Sequence, residues 1–158
     1  MKTLNQISMF LLLAGITFFS PQRSYGHCEI PCGIYDDSVR IKLIKEHMAT
    51  IEKSMNSIIE ISESAQPDYN QLVRWINNKE EHAEKIQEIV SRYFLHQRIK
   101  IIESADDPGY AQYIKQLELL HHLLVYSMKC KQTTDKSYIE KLRETTALFE
   151  KSYFHHDH

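Results

Sequence analysis

The chain has 158 residues and a formal net charge of −2, which suits a single domain and disfavours a nucleic-acid binder that works by neutralising phosphates. Its 4 glycines and 4 prolines are too few for the turns of an all-β sandwich, and its 3 cysteines are too few for a disulfide-stapled scaffold. The common motifs of nucleotide-binding folds, serine hydrolases and zinc peptidases are missing from the sequence. Composition therefore predicts one small helical domain with no nucleic-acid partner.

Residues 1–26 have the layout of a cleaved secretory signal peptide. Lys2 gives a positive start, the run from Met9 to Phe19 is almost wholly apolar, and the small residues Ser24 and Gly26 precede a cleavage site. The apolar run is shorter than the ~20 residues that span a bilayer, and a short uncleaved anchor or a buried helix is the alternative. We therefore expect export, to the periplasm or fully secreted, with no membrane attachment after the leader is cleaved.

The segment that follows the leader is rich in metal donors. Cleavage makes His27 the first residue of the mature chain, with a free α-amine beside its imidazole. Cys28 and Cys32 add two thiolates, and the backbone amide of Cys28 can close a chelate ring with the amine. Pro31 and Gly33 supply a turn that folds Cys32 back toward Cys28, and two nitrogens with two sulfurs favour planar nickel(II) or copper(II) over zinc. A disulfide between the two cysteines, or a zinc ligand pair, is the alternative that this spacing leaves open.

Residues 36–158 show the pattern of four amphipathic helices, without a repeat or a domain linker. The predicted caps and breaks are Asp36 to Ser38 before the first helix, Pro67 after it, Pro108 in the first turn of the third, and Thr134 and Asp135 before the fourth. The apolar stripes comprise Leu43, Ile44, Met48, Ile51, Met55, Ile58 and Ile59; Leu72, Ile76, Ala83, Ile86, Val90, Tyr93 and Phe94; Tyr113, Leu117, Leu120, Leu124 and Met128; and Ile139, Leu142, Phe149 and Tyr153. Only residues 98–104 stay ambiguous between helix and loop. The pattern predicts an all-α, up-and-down four-helix bundle that follows the metal-binding segment.

The metal-donor segment resembles the nickel hook of nickel-containing superoxide dismutases in the motif His27-Cys28-x-x-Pro31-Cys32-Gly33-x-Tyr35. A weaker similarity extends over the rest of the mature chain, including the stretch from Arg74 to His82, the pair Tyr93 and Phe94, and the leucine-rich third helix. The resemblance implies a four-helix bundle assembled as a homohexamer, with residues 27–35 of each subunit as the hook and one nickel ion bound there.

The resemblance also implies a role for each hook residue. Nickel is expected to be bound by the His27 amine, the Cys28 amide nitrogen and the thiolates of Cys28 and Cys32, with the His27 imidazole as an axial ligand. Tyr35 is expected to stand beside the open face and order water or substrate, and the bond before Pro31 to be cis. The implied reaction converts superoxide to dioxygen and hydrogen peroxide through a Ni(III)/Ni(II) cycle, with Tyr35 and His27 as the catalytic residues.

Two functions of other classes remain as alternatives. One is an exported, non-catalytic carrier of nickel or another transition metal that uses the same hook together with the histidine-rich tail at 155–158. The other is a structural bundle in which Cys28 and Cys32 form a disulfide.

The sequence departs from the best-studied form of this family around the ligating imidazole. Where that form has an acidic residue that orients the imidazole, this chain has Leu43, and Glu46 fits that role only after a shift of register. His82 stands in place of an arginine, whereas Arg74 matches one. The partner of the His27 imidazole is therefore unassigned by the sequence.

The remaining cysteine and the paired histidines are assigned no chemistry. Cys130 is predicted to be a structural or free thiol. His121 and His122 are adjacent on a helix, so one is expected at the edge of the core and the other at the surface.

Overall fold

The structure, a computed structural model, describes residues 33–154 of the chain. Four α-helices follow one another in this range. They are α1 (Asp37–Ser62), α2 (Tyr69–Glu88), α3 (Tyr110–Gln132) and α4 (Ser137–Phe154), and α2 continues directly into a π-helical segment, Ile89–Arg98. Each helix packs against its neighbour in the chain, and α1 also packs against α4. This arrangement, without a strand among residues 33–154, confirms the predicted four-helix bundle.

Aspartates set the beginnings of three helices. The carboxylate of Asp36 accepts from the backbone N–H of Val39 at 3.1 Å, and Asp68 caps α2 in the same way. Asp135 accepts from the N–H of Ser137 at 2.9 Å, where α4 begins. The predicted caps at Asp36 and Asp135 are therefore confirmed.

The prediction that Pro108 lies in the first turn of the third helix is wrong. The cap of α3 is Gly109, so the proline lies just before the helix and not in its first turn. The carboxylate of Asp107 accepts from the N–H of Gly109 at 2.7 Å, and its carbonyl accepts from the N–H of Tyr110. This local turn closes before the helix starts, because the aspartate satisfies the first free N–H groups.

The core is formed by apolar side chains from all four helices and the π-helical segment. Its fully buried members include Ile44, Ile51, Met55, Ile86, Val90, Phe94, Leu120, Leu123, Ile139, Leu142 and Phe149. Phe94 lies at an aromatic centre, with its ring edge-to-face against Phe149 at 5.0 Å and Tyr153 at 5.5 Å. The π-helical segment and α4 are therefore joined by aromatic packing.

The predicted stripe of α3 is displaced by one residue. Met128 is 40% exposed, while the buried line runs through Gln116, Leu120, Leu123 and Ser127. Because Gln116 and Ser127 are polar, a hydrophobicity pattern does not indicate that this line is buried. Both side chains form hydrogen bonds within the fold. The Ser127 hydroxyl, for example, donates to the carbonyl of Leu123 at 2.7 Å. On α2, Ile76 is likewise 37% exposed and outside the core.

The π-helical segment resolves the ambiguous stretch that begins at Arg98. Its last turn is closed by the N–H of Ile99, which donates to the carbonyl of Phe94 at 2.9 Å, and residues 99–109 form an irregular connection to α3. The wider π turn brings Tyr93 and Arg98, five residues apart, to the same side of the bundle. None of the helices within residues 33–154 is long and apolar enough to cross a membrane.

Candidate functional site

The three predicted metal ligands, His27, Cys28 and Cys32, lie outside the described residues, as does the bond before Pro31. Their assignment stays a prediction that rests on the chemistry of the donor set. Gly33 is the first described residue, with a φ of +74°. Only glycine adopts this left-handed conformation without strain, which agrees with a turn at the end of the hook.

Tyr35 is the hook residue that the structure does describe, and its ring is held from two sides. The guanidinium carbon of Arg98 lies 4.4 Å from the ring centroid, within the range of a cation–π contact. The ring of Tyr93 meets it edge-on, with a centroid distance of 6.0 Å and an interplanar angle of 69°. The Tyr35 side chain remains 42% exposed, so it is fixed and also open to solvent.

Asp37, two residues further along, is surrounded by four hydrogen-bond donors. One carboxylate oxygen accepts from the Tyr93 hydroxyl at 2.5 Å and from Nε of Arg98 at 2.9 Å. The other oxygen accepts from Nη2 of Arg98 at 2.7 Å and from the Tyr153 hydroxyl at 2.8 Å. The first turn of α1, the π-helical segment and the last turn of α4 are joined through this one carboxylate.

The protonation states in this cluster are well separated. Burial by itself raises the pKa of Asp37, but hydrogen bonds from Arg98, Tyr93 and Tyr153 outweigh it and hold the pKa below the ordinary value. Burial, together with the neighbouring carboxylate, raises the pKa of Tyr153 to about 12 and that of Tyr93 further. The bonds to Asp37 also raise the pKa of Arg98. At neutral pH the cluster therefore holds one carboxylate, one guanidinium and two neutral phenols.

A second arginine contributes positive charge close to these tyrosines. The guanidinium carbon of Arg40 lies 5.0 Å from the ring centroid of Tyr93. Its Nε is buried without a hydrogen-bond partner among residues 33–154. Asp37 pairs with Arg98, whereas Arg40 adds a positive charge beside the ring of Tyr93.

Sequence reasoning did not find this cluster. The sequence pattern marks Asp37 only as a helix-cap candidate and Tyr153 only as a core residue, and Arg98 lies in the ambiguous stretch. The structure shows that Asp36 provides the cap, which leaves the carboxylate of Asp37 free. It binds Tyr93, Arg98 and Tyr153, which follow it in the chain by 56, 61 and 116 positions. No periodic pattern reports contacts at such separations.

His82, which replaces the arginine of the best-studied form, pairs with a histidine on α1. Its Nδ1 lies 3.0 Å from Nδ1 of His47, so one ring donates to the other. Burial lowers the pKa of both imidazoles, and repulsion from Lys85 adds to this effect. Leu43 is half-buried and Glu46 is exposed, and any relation of either residue to His27 lies outside the described residues.

The other singled-out residues behave as predicted or lie beyond the described range. Cys130 is a buried free thiol, and burial raises its pKa to about 12. His121 is exposed while His122 is half-buried. The tail at 155–158 falls outside the description, and within 33–154 no group of three His, Cys, Asp or Glu side chains is arranged to hold a metal.

Comparison with known proteins places most of the chain in one family. A family model described as nickel-containing superoxide dismutase matches residues 22–157. That range includes the whole hook, the four helices and the cluster around Asp37. No curated protein and no solved structure matches the chain.

Proposed function

The chain belongs to the nickel-containing superoxide dismutase family, and we propose that residues 27–35 form its nickel hook. Membership makes the protein an oxidoreductase with a nickel cofactor and superoxide as its substrate. The observation that carries the hook assignment is the coincidence of a predicted cleavage site with His27 and two closely spaced cysteines. The alternative of a non-catalytic metal carrier has no support, because the matched family is one of enzymes.

The donor set of the hook fits nickel. The His27 amine and imidazole, the Cys28 amide nitrogen and the thiolates of Cys28 and Cys32 would hold the ion. Anionic thiolates and a deprotonated amide donate charge, which stabilises the higher oxidation state of the metal. A nickel ion bound there would supply a one-electron Ni(III)/Ni(II) couple, which is the chemistry needed to convert two superoxide ions and two protons to dioxygen and hydrogen peroxide.

Tyr35 is proposed to order water or superoxide beside the hook. Its hydroxyl can donate a hydrogen bond to a small anion, and its ring is held by Arg98 and Tyr93 while staying partly exposed. The positive charge of Arg40, 5.0 Å from the centroid of the Tyr93 ring, favours the approach of an anion, although the net charge of the chain is −2. Local charge is therefore expected to matter more than net charge.

Export and assembly into a homohexamer complete the proposal. The leader-like residues 1–26 support export, because a free His27 amine arises only after cleavage. Apolar side chains on one face of α2 support contact between subunits, since Tyr69, Val73 and Ile76 are 71%, 54% and 37% exposed. The number of subunits in the proposed assembly, six, comes from the family resemblance.

The free amine gives the sharpest test of the hook. We would release residues 27–158 cleanly at His27, and compare them with the same protein carrying one extra residue before His27. A peptide bond converts the amine into a much weaker donor, so the extended protein should fold equally well by circular dichroism but lose nearly all nickel-dependent turnover. The clean protein should show a rhombic, low-spin Ni(III) resonance.

Cysteine variants supply the control for this comparison. Cys32→Ser removes a thiolate without touching the amine, because an alcohol does not ionise at neutral pH, and it should abolish both the Ni(III) resonance and turnover. Equal nickel-dependent turnover in the clean and extended proteins would contradict the role of the amine. Substantial turnover in Cys32→Ser would exclude the hook as the site of the reaction.

A further inference from the structure

We propose that Arg98, anchored by Asp37, is the positioning residue for Tyr35. Through Tyr35 it fixes the last residues of the hook, 33–35. This inference rests on the proposed function, in which Tyr35 faces the nickel site. Neither Arg98 nor Asp37 belongs to the hook motif, and no contact of either residue with substrate is implied. Their effect on the reaction passes through the position of one aromatic ring.

The geometry of the guanidinium allows Arg98 to hold two groups at once. Its edge donates from Nε and Nη2 to the two oxygens of Asp37, at 2.9 and 2.7 Å. The guanidinium carbon is at the same time 4.4 Å from the centroid of the Tyr35 ring. A planar fork can bind a carboxylate along its edge and an aromatic ring on its face, whereas a lysine ammonium offers neither the fork nor the face.

The support beneath Arg98 is rigid because it comes from separate parts of the bundle. Asp37 is in the first turn of α1, Tyr93 and Arg98 are in the π-helical segment, and Tyr153 is in the last turn of α4. The side chains of Asp37 and Arg98 are only 16% and 28% exposed, so water competes weakly for these bonds. The ring of Tyr35 thus rests on a surface that cannot move without disturbing the bundle.

The position of Tyr35 bears on the hook through the length of the chain. Cys32 precedes Tyr35 by three residues, and three residues span at most about 11 Å. Asp37 follows Tyr35 by only two residues, which fastens the segment on its other side as well. Loss of the stacking contact would free Tyr35, and with it the residues that lead to the second predicted thiolate ligand.

The chain contains a matched pair that serves as the control. Arg143 on α4 also binds a carboxylate on α1, with Nη2 2.5 Å from Oε2 of Glu52. Glu52 is fifteen residues beyond Asp37, which corresponds to about 22 Å along α1. An effect of arginine–carboxylate pairing on the bundle in general should therefore be equal for Arg98→Gln and Arg143→Gln.

The experiment measures a ¹⁹F resonance in metal-free protein and superoxide turnover in nickel-loaded protein. In metal-free protein, 3-fluorotyrosine is placed at position 35, and its ¹⁹F resonance is compared in the parent, Arg98→Gln, Arg98→Lys and Arg143→Gln. We expect both Arg98 variants to shift and narrow the resonance, because the ring becomes mobile, while Arg143→Gln leaves it unchanged. If Arg98→Gln fails to fold, Arg98→Lys decides the question, since it retains the positive charge beside Asp37.

In nickel-loaded protein, the same variants are assayed for superoxide turnover and for nickel content. A lost cation–π contact changes the population of the ordered ring by about fivefold, so kcat/KM of Arg98→Gln should fall about fivefold at unchanged nickel content. In a Tyr35→Ala background the further loss should be less than about twofold, because the ring through which Arg98 acts is gone.

Three results distinguish failure of the Arg98 proposal from failure of the proposed function. An unchanged ¹⁹F resonance in both Arg98 variants would overturn the proposal, as would a full fivefold loss in the Tyr35→Ala background. A parent protein without nickel-dependent turnover would overturn the proposed function, and with it the catalytic part of this inference. In that case the resonance in metal-free protein still decides whether Arg98 positions Tyr35.

Discussion

Lys79 is a buried cation whose removal should destabilise the bundle strongly. It is 4% exposed on α2, and its Nζ donates to the carbonyl of Cys130 at 2.7 Å and to the carbonyl of Lys131. These carbonyls lie in the last turn of α3, where the backbone oxygens lack partners within the helix and the helix dipole favours a positive charge. The lysine therefore caps one helix from another.

The magnitude follows from these two bonds. Lys79→Met retains most of the apolar stem, but it leaves both carbonyls without their donor, at about 1–3 kcal/mol each. Removal of the buried ammonium also relieves its desolvation, which offsets part of that loss. We expect a net decrease of about 3 kcal/mol in the free energy of unfolding. At a slope of about 2 kcal/mol per molar urea, the unfolding midpoint would move by about 1.5 M.

The assay is urea unfolding of metal-free protein followed by circular dichroism, with Lys45→Met as the control. Lys45 pairs with Glu150 at 2.6 Å, but its side chain is 48% exposed, and such surface pairs contribute less than about 1 kcal/mol. If Lys79→Met shifted the midpoint no further than Lys45→Met, the capping argument would be refuted.

Three further predictions concern protonation, reactivity and the hook tyrosine. Burial lowers the pKa of both His47 and His82 below 6.5, and repulsion from Lys85 adds to this at both residues, with His82 adding further repulsion at His47. The unfolded chain therefore binds more protons near and below pH 6.5, and the free energy of unfolding should fall as the pH drops below about 6.5. His47→Asn should flatten this dependence in metal-free protein, and an unchanged curve would contradict it. Cys130, with a pKa raised to about 12 by burial, should resist alkylation at pH 8 in the folded protein and react fully in urea, and rapid labelling of the native state would disprove its burial. Tyr35→Phe should retain nickel and much of its turnover while changing the dependence on superoxide concentration and on inhibitory anions. Complete loss of nickel in this variant would contradict a role for Tyr35 in ordering water or substrate.

Local sequence features predicted the class of fold correctly. Helix caps such as Asp36 and Asp135 act within two or three residues, and an amphipathic stripe reports burial as soon as most of its members are apolar. The hook is predicted from the same kind of local feature, because its donors lie within the six consecutive residues 27–32. The buried line of α3 was misplaced where it passes through Gln116 and Ser127, since polar side chains satisfied inside the fold do not register as apolar.

Only the tertiary structure decided what surrounds Tyr35. The carboxylate of Asp37 binds side chains from the π-helical segment and from α4, and one of them, Arg98, covers the tyrosine ring. The same holds for Lys79, whose partners are backbone carbonyls 51 and 52 residues away. A sequence encodes such contacts only through the packing of whole helices, because a hydrogen bond between distant residues depends on helix register and on a π turn that no local pattern specifies.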